Sequence, residues 1–500
     1  MRSHRWWTLV LAASLGVPSS ATGAPLPRDL SARLDTLVRE AMAIGMNPGM
    51  SVAVVSGDEI VWARGFGDAD LSRSRPITPD TRFYIGSTSK ALTALAAAQL
   101  AAAGTLDLDA PLTRLFPTAR IPAGVAAESV TVRALLTHTH GISGDGPVSM
   151  RVAFTGEYTE AHLLRVLEKH GPASRGRAFQ YSNLGYDLAG VVLSGGRPRG
   201  WREVVERQVT QPLGMKATTA YRSRVPEALI AQPHELGVNG LERIRLGKED
   251  PNMGPAGGHF SSARDMARLL IAELNQGRVD GRAAIPAAVI AETQRIQATQ
   301  DREFTYFHRH GWGLGWDLGT FDGDTLHHRF GSFTGYRSHV SFMRDHGLGV
   351  VVLTNGGNVG AMLVDLIAAG IYDEMRSRPD ARARHAARLE TMRDRIAKAR
   401  EQLTAETRPA ASARTLRRPL DAYTGSYAHP DWGTLVLSVE DGRLVASMGV
   451  ARSAVEVIDA EKDHLRVELF GGGTTLNADF PEGATRAETL RLRDVTFRRR

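Results

Sequence analysis

Two strongly apolar hairpins, far apart in the chain, constrain this fold more than any other feature. MSVAVVS (50–56) and EIVWARGFG (59–67) flank Gly57-Asp58, and HVSFMRD (339–345) and LGVVVLTN (348–355) flank His346-Gly347. Short apolar runs broken by such turns read as paired strands. An amphipathic helix is predicted over 29–45, with Leu30, Leu34, Leu37, Val38 and Ala41 on one face, and an apolar helix over 358–376. Helical patterns also fill 158–169, 183–195, 201–210 and 261–276, with a short helix at 132–136 in an otherwise loop-rich stretch. Segments 312–318 and 324–330 are further strand candidates. Strands at both ends of a helical block predict one sheet closed by the two ends of the chain, with a helical region beside it: an α+β fold.

Five hundred residues exceed one compact core. From Leu420 the pattern changes to short strands: YTGSYAH, TLVLSVE, RLVASMG, AVEVID, HLRVELF, TTLNADF and ETLRLRDVTF. Turns such as Glu440-Asp441-Gly442 separate them, which predicts a small all-β barrel or sandwich. Between the two parts, 377–416 is rich in Arg, Ala and Glu and reads as a charged helix and linker. At the start, Arg2 and Arg5 precede an apolar run over 6–17 and a small-x-small site at Ser19-Ser20-Ala21, with Thr22-Gly23-Ala24 a second option before Pro25. That is the pattern of a cleaved secretory leader, too short to span a membrane. The expected division is a leader over 1–21, a first domain over 25–378, a helical linker over 379–416 and a β domain over 417–500. The mature chain is expected to be periplasmic or secreted, with no stable membrane anchor after cleavage.

The absence of cysteine excludes disulfides, thiolate metal sites and a thiol nucleophile. The net charge of +7 is concentrated at the two ends and in 380–418, where eleven basic residues meet five acidic ones. No stripe of interleaved basic and aromatic residues accompanies it, so nucleic acid is not an expected partner.

The chemistry centres on TRFYIGSTSKALTALAAAQLAAAG (81–104). Ser87 and Lys90 are three apart at the start of a helical run, so both side chains share a face. The unpaired N–H groups of a first turn favour developing negative charge there. The chain contains six lysines and otherwise uses arginine. Arginine cannot give up its proton, whereas a buried lysine can act as a base toward a serine hydroxyl. Such a pair arises by chance about one time in three in this composition, so it gains meaning only with others. Tyr181-Ser182-Asn183 opens the 183–195 helix: Tyr181 offers a phenol for acid–base work, and Asn183 an amide for a substrate carbonyl or the lysine. His327-His328-Arg329-Phe330-Gly331-Ser332-Phe333-Thr334-Gly335-Tyr336 enters a strand, where Gly331 allows close backbone approach to a substrate and the Ser332 N–H can pair with that of Ser87 as an oxyanion hole.

In this order and spacing, the three motifs resemble the serine β-lactamase and penicillin-binding-protein superfamily, with its S-x-x-K, Y-x-N and K/H-x-G pattern. The likeness is greatest to the class C-like branch of D-stereospecific peptidases and family VIII esterases. Supporting stretches are VTVRALLTHTHGI (130–142), QPLGM (211–215), PAGGHFSSARDM (255–266) and GLGW (313–316). The tail, with Tyr423-x-Gly425-x-Tyr427, resembles the lipocalin-like β domain appended to such hydrolases. The resemblance implies a β-lactamase/transpeptidase-like fold and a covalent acyl-enzyme mechanism on an ester or amide carbonyl. Ser87 is then the nucleophile, Lys90 and Tyr181 share its proton, Asn183 positions substrate, and no metal or organic cofactor is needed. It implies a small-molecule or short-peptide substrate, of cell-wall origin among the options. Oligomeric state is left open. Arg329 stands where the pattern usually has Lys or His; it can hold a substrate carboxylate but cannot shuttle a proton at neutral pH. His308 and His310 share a strand face, and His327 and His328 adjoin, but without carboxylates in a ligand pattern no metal site is expected. His138 and His140 are expected to make structural hydrogen bonds. A non-catalytic peptidoglycan- or partner-binding protein on a hydrolase scaffold, and a β-lactamase, are the competing readings.

Overall fold

The computed structural model describes residues 26–45, 47–144, 146–237, 240–406, 416–470 and 474–500. The leader read over 1–21 lies outside these residues, as does the linker segment 407–415. Among the described residues, no helix is long and apolar enough to cross a membrane.

A nine-stranded sheet is the frame. Its strands are β1 (Gly49–Ser56), β2 (Glu59–Asp70), β3 (Arg75–Pro76), β4 (Ala298–Phe304), β5 (Phe307–Trp312), β6 (Asp317–Phe321), β7 (Asp324–Phe333), β8 (Tyr336–Met343) and β9 (Leu348–Thr354). They run in the order β4-β5-β6-β7-β8-β9-β1-β2-β3. The two hairpins meet in the middle, where Val52 lies opposite Val352 in an antiparallel register. β1 and β9 are almost wholly buried, which is why they read as continuous apolar runs rather than alternating ones.

Period-two geometry then divides their side chains between two cores. Val52, Val54, Val350 and Val352 pack with Leu34, Leu37 and Val38 of α1 (Arg28–Gly45). Ala53, Val55, Val351 and Leu353 face the opposite core, with Leu92 and Leu95 of α2 (Ser89–Ala102). That core also holds Tyr186 and Ala189 of α3 (Asn183–Ser194) and Met266 and Leu270 of α4 (Ala263–Leu274). Behind the sheet, α5 (Leu363–Met375) and α6 (Ala381–Glu406) complete the α1 layer through Ile367, Ile371, Leu389, Met392 and Ile396. Each such side chain contributes about 1.5–3 kcal/mol relative to exposure. The charged helix expected in the 379–416 linker is thus docked on this core. Its Arg384 and Arg388 bond the buried carboxylate of Asp373.

Other expectations need correction. The strand candidate at 312–318 straddles a turn: β5 ends at Trp312, β6 begins at Asp317, and Gly315 between them holds φ +86°. The turn leans on α2, where a Cβ at Gly315 would lie 2.7 Å from Ala91 Cα. β4 escaped notice because it is a polar edge strand, ATQDREF.

The C-terminal part is a closed barrel of eight strands, β10 (Gly425–His429), β11 (Gly433–Glu440), β12 (Arg443–Met448), β13 (Ala451–Asp459), β14 (His464–Val467), β15 (Thr474–Asp479), β16 (Thr489–Leu492) and β17 (Val495–Arg499). The first closes on the last, with Tyr427 opposite Arg499. Alternate residues fill it, among them Tyr427, Leu435, Leu437, Ala446, Leu465, Leu476, Leu490 and Phe497. The final apolar run is two strands rather than one, turned at Arg493 with φ +53°.

Candidate active site

The strand residues Phe83 and Tyr84 pair with Phe260 and Ser261, and Ile85 N donates to His259 O at 3.0 Å. The chain then makes one tight turn, Gly86–Thr88, before α2 begins. Gly86 takes φ +51°, and a Cβ there would lie 2.9 Å from Ser332 N. Only glycine satisfies both demands. Gly331 of β7 meets the same turn, since a Cβ on it would run into Ile85 O. Gly331 thus lets β7 approach the turn that carries Ser87. The Ser338 hydroxyl of β8 donates to Ile85 O at 2.9 Å and lies 2.8 Å from Thr88 Oγ1. These contacts set the backbone of Gly86, the residue before Ser87, against that of Ser332. β6 pairs with β7 only over 324–328, leaving the 329–333 edge unpaired on that side.

Lys90 lies one turn along α2 from Ser87 and is 0 % exposed. Its Nζ donates to Asn183 Oδ1 and to Ala256 O, both at 2.7 Å, and lies 3.3 Å from Ser87 Oγ. A neutral amine has two hydrogens and one lone pair. Two carbonyl oxygens, the Ser87 hydroxyl and the Tyr181 phenol thus surround this nitrogen, and in its neutral form the lone pair can take the Ser87 proton. Burial, reinforced by Arg329, holds the Lys90 amine below the ordinary lysine range.

Tyr181 enters from the N-terminal end of α3, where Ser182 caps the helix by accepting from Gly185 N at 3.4 Å. Its hydroxyl hydrogen-bonds both Lys90 and Ser87. Burial acts to raise this phenol, but the charges of Lys90 and Arg329 and those hydrogen bonds outweigh it, so it lies below the usual tyrosine value. Asn183 holds Lys90 directly.

Arg329 is 0 % exposed, its NH1 donating to Asp317 Oδ2 at 3.0 Å and its NH2 to Tyr181 Oη at 3.3 Å. It packs over Trp312 with its charge 4.8 Å from the ring centroid. The expectation that Arg329 holds a substrate does not fit this placement: the guanidinium stands behind Tyr181 as a fixed buried cation. Sequence reasoning also missed how Tyr181 is seated. His138, at φ +61°, accepts from Ser182 N at 3.1 Å through Nδ1, and its ring lies 4.6 Å from Tyr181 and 4.4 Å from Trp312. Burial keeps this imidazole well below the usual range, hence neutral. The THTHG run was the available signal.

Among the described residues, His328, His339 and Asp365 bring three ligand atoms within 4.8 Å. They already bond one another, at 3.2 Å between the imidazoles and 2.7 Å from His339 to Asp365. Arg309 donates to His328 Nδ1 at 3.0 Å, and Arg329 and Arg337 add positive charge. That field disfavours a dication. His308 pairs with Asp301 at 2.8 Å.

In chemical terms, the site offers a hydroxyl beside a buried amine held below the ordinary lysine range and a phenol held below the ordinary tyrosine value, with the Ser332 backbone against the turn that carries Ser87. Comparison with known proteins gives the same direction. A family model described as Beta-lactamase matches residues 34–370. The chain is 30% identical over 366 residues to Esterase EstB of Burkholderia gladioli, covering 65% of this chain and 90% of that one. Among solved structures, the octameric penicillin-binding protein homologue from Pyrococcus abyssi aligns with a TM-score of 0.60 at 20% identity, over 93% of this chain and 99% of that one. The D-amino acid amidase from Ochrobactrum anthropi SV3 aligns with a TM-score of 0.58 at 24% identity, over 70% and 99%. At these identities, the two structures speak to the fold alone.

Proposed function

The chain belongs to the β-lactamase family of serine hydrolases, and from that premise we propose that Ser87 forms an acyl-enzyme with short acyl esters or with peptides carrying a D-residue. The observation that supports this most is the triple contact of Lys90. Its Nζ lies within hydrogen-bond reach of Asn183, Ala256 and Ser87, so the amine in its neutral form can take the Ser87 proton. Ser87 Oγ attacks the carbonyl carbon as its proton passes to Lys90 Nζ, with Tyr181 sharing it. The carbonyl π pair becomes the oxyanion, held by the N–H groups of Ser87 and Ser332. Collapse expels the alkoxide or amine, which takes a proton from Tyr181. Water then loses a proton to the Tyr181 phenolate and attacks the acyl carbon; collapse releases the acid as Ser87 Oγ takes back the proton held on Lys90, which restores hydroxyl, amine and phenol.

Similarity to an esterase by name supports the ester half of this reading. The leader pattern at the N-terminus supports a periplasmic or secreted location. The test is a panel of p-nitrophenyl esters, D-Ala-D-Ala peptides and a chromogenic cephalosporin, with intact-mass mapping of a fluorophosphonate adduct. Turnover of an ester or D-peptide and a single adduct on Ser87 are expected. Ser87→Ala and Lys90→Ala should each lower kcat by at least about a thousandfold while leaving the thermal transition in place. Preferred turnover of the cephalosporin would make it a β-lactamase. An unlabelled Ser87 would mean a binding protein on a silent scaffold.

A further inference from the structure

Lys248 is a buried amine that this reaction does not use. It is 0 % exposed. Its Nζ donates to Ala153 O and lies 3.4 Å from Asn252 O. Three aromatic rings surround it, with centroids at 3.9 Å for Phe333, 4.7 Å for Tyr84 and 5.9 Å for Phe154. Burial keeps it well below the ordinary lysine range. The reason for an amine here is local: two backbone carbonyls at the edge of an aromatic cluster need donors, and a long stem with an amine head supplies them.

The three rings come from three parts of the molecule. Tyr84 lies three residues before Ser87, and Phe333 directly follows Ser332. Their rings meet edge to face at 5.0 Å. Phe154 belongs to the π-helical turn Met150–Thr155 and stacks on Phe333 at 5.2 Å.

That turn is gripped by the barrel. Met150 and Phe154 pack into the barrel core. Val450 N donates to Thr155 O at 2.9 Å, and Arg151 NH1 donates to Asp431 O at 3.1 Å. Gly449, at φ +55°, has no room for a Cβ against Thr155 O. Phe470 of the barrel meets Phe154 edge-on at 5.5 Å, and Thr334 Oγ1 donates to Phe470 O at 3.4 Å. Arg245, three residues before Lys248, donates to Arg452 O at 3.0 Å.

We propose that Lys248 is a positioning residue through which the barrel fixes the Ser332 end of β7, and with it one oxyanion donor, without touching substrate. The barrel is then a working part of the hydrolase. Lys248 is the knot where the barrel-held turn, the nucleophile turn and the oxyanion strand are tied together.

The kinetic part of the test rests on the hydrolase reading; the exchange part does not. Lys248→Met, Phe470→Leu and the double variant are made in the full chain. With p-nitrophenyl butyrate, each single variant should lose about tenfold in kcat, because displaced donors stabilise the oxyanion poorly. KM should stay within about twofold. The double variant should be no worse than Lys248→Met, since both changes break one linkage. By hydrogen exchange, peptides covering 329–335 should exchange about fivefold faster in each variant, with β9 unchanged. Exchange over 329–335 equal to the wild type, or kcat losses that multiply, would overturn the proposal. A wild type without turnover would sink the hydrolase reading, and exchange would still decide this one. If Lys248→Met fails to fold, Phe470→Leu carries the same exchange and kcat criteria alone.

Discussion

At Lys90, four polar neighbours share one nitrogen: Ser87, Asn183, Ala256 and Tyr181. To take the Ser87 proton the amine must be uncharged. Arg329 is the fixed charge that favours that state, and it acts on Tyr181 in the same direction. The sign follows directly. A neighbouring cation makes protonation of the base costlier, so removing it raises the base's pKa and moves the acid limb of kcat/KM to higher pH. Arg329→Met should shift that limb upward by about one pH unit, whereas Arg329→Lys, which keeps a cation, should shift it much less. An unmoved limb in Arg329→Met would show that the guanidinium only packs. The motifs exposed Ser87, Lys90, Tyr181 and Asn183 because their chemistry is written in residue type and local spacing. The buried place of Arg329 is not legible in its motif because it depends on Asp317 and Trp312, which the sequence places on other strands. His138 was undervalued for a similar reason, since its contact with Tyr181 joins two segments distant in sequence.

Elements were legible where one physical rule dominated. The buried central hairpins were, because both faces demand apolar residues, and α1 was, because its stripe is regular. β4 was not, since an exposed edge strand needs no apolar alternation. The turn at 313–316 was hidden because Trp312, Leu314 and Trp316 are all buried, imitating a strand. Packing of elements against one another produces a further property that no local pattern carries. Glu273 of α4 is buried, accepting from Gln294 Nε2 at 2.7 Å and from Trp316 Nε1 at 3.2 Å. Burial pushes its carboxyl up to about 7. The folded state therefore holds this proton more tightly than the unfolded chain does. Stability falls as pH rises from the ordinary glutamate range through about 7, by about 3 kcal/mol in all. Glu273→Gln keeps the shape and removes the proton, so it should flatten that slope and raise the melting temperature at pH 8 while leaving it nearly unchanged at pH 5. Parallel melting curves for the two proteins from pH 5 to 8 would exclude the assignment.

The whole molecule poses the question of whether barrel and hydrolase are one thermodynamic unit. Two glycines on the barrel's rim argue that they are. A Cβ on Gly433 would lie 2.6 Å from Glu157 Oε2, and one on Gly449 would run into Thr155 O. Trp432 lies 3.5 Å from the Cβ position of Gly146. The Glu157 carboxylate can swing aside at Gly433, but the Thr155 backbone cannot, so a side chain at Gly449 must pry the barrel from the 150–157 segment. Gly449→Val adds to that clash the roughly 1–2 kcal/mol cost of a branched residue in left-handed conformation. The barrel has its own filled core, so separation should leave it folded but less stable. Calorimetry should then show one transition for the wild type. For Gly449→Val it should show two, the added one at lower temperature and carrying the smaller enthalpy expected of the smaller part. Because Thr155 adjoins Phe154, the same variant should lose kcat with KM retained, in the manner expected for Lys248→Met. A single unshifted transition with full kcat would mean that the barrel's grip on this turn supports neither stability nor chemistry.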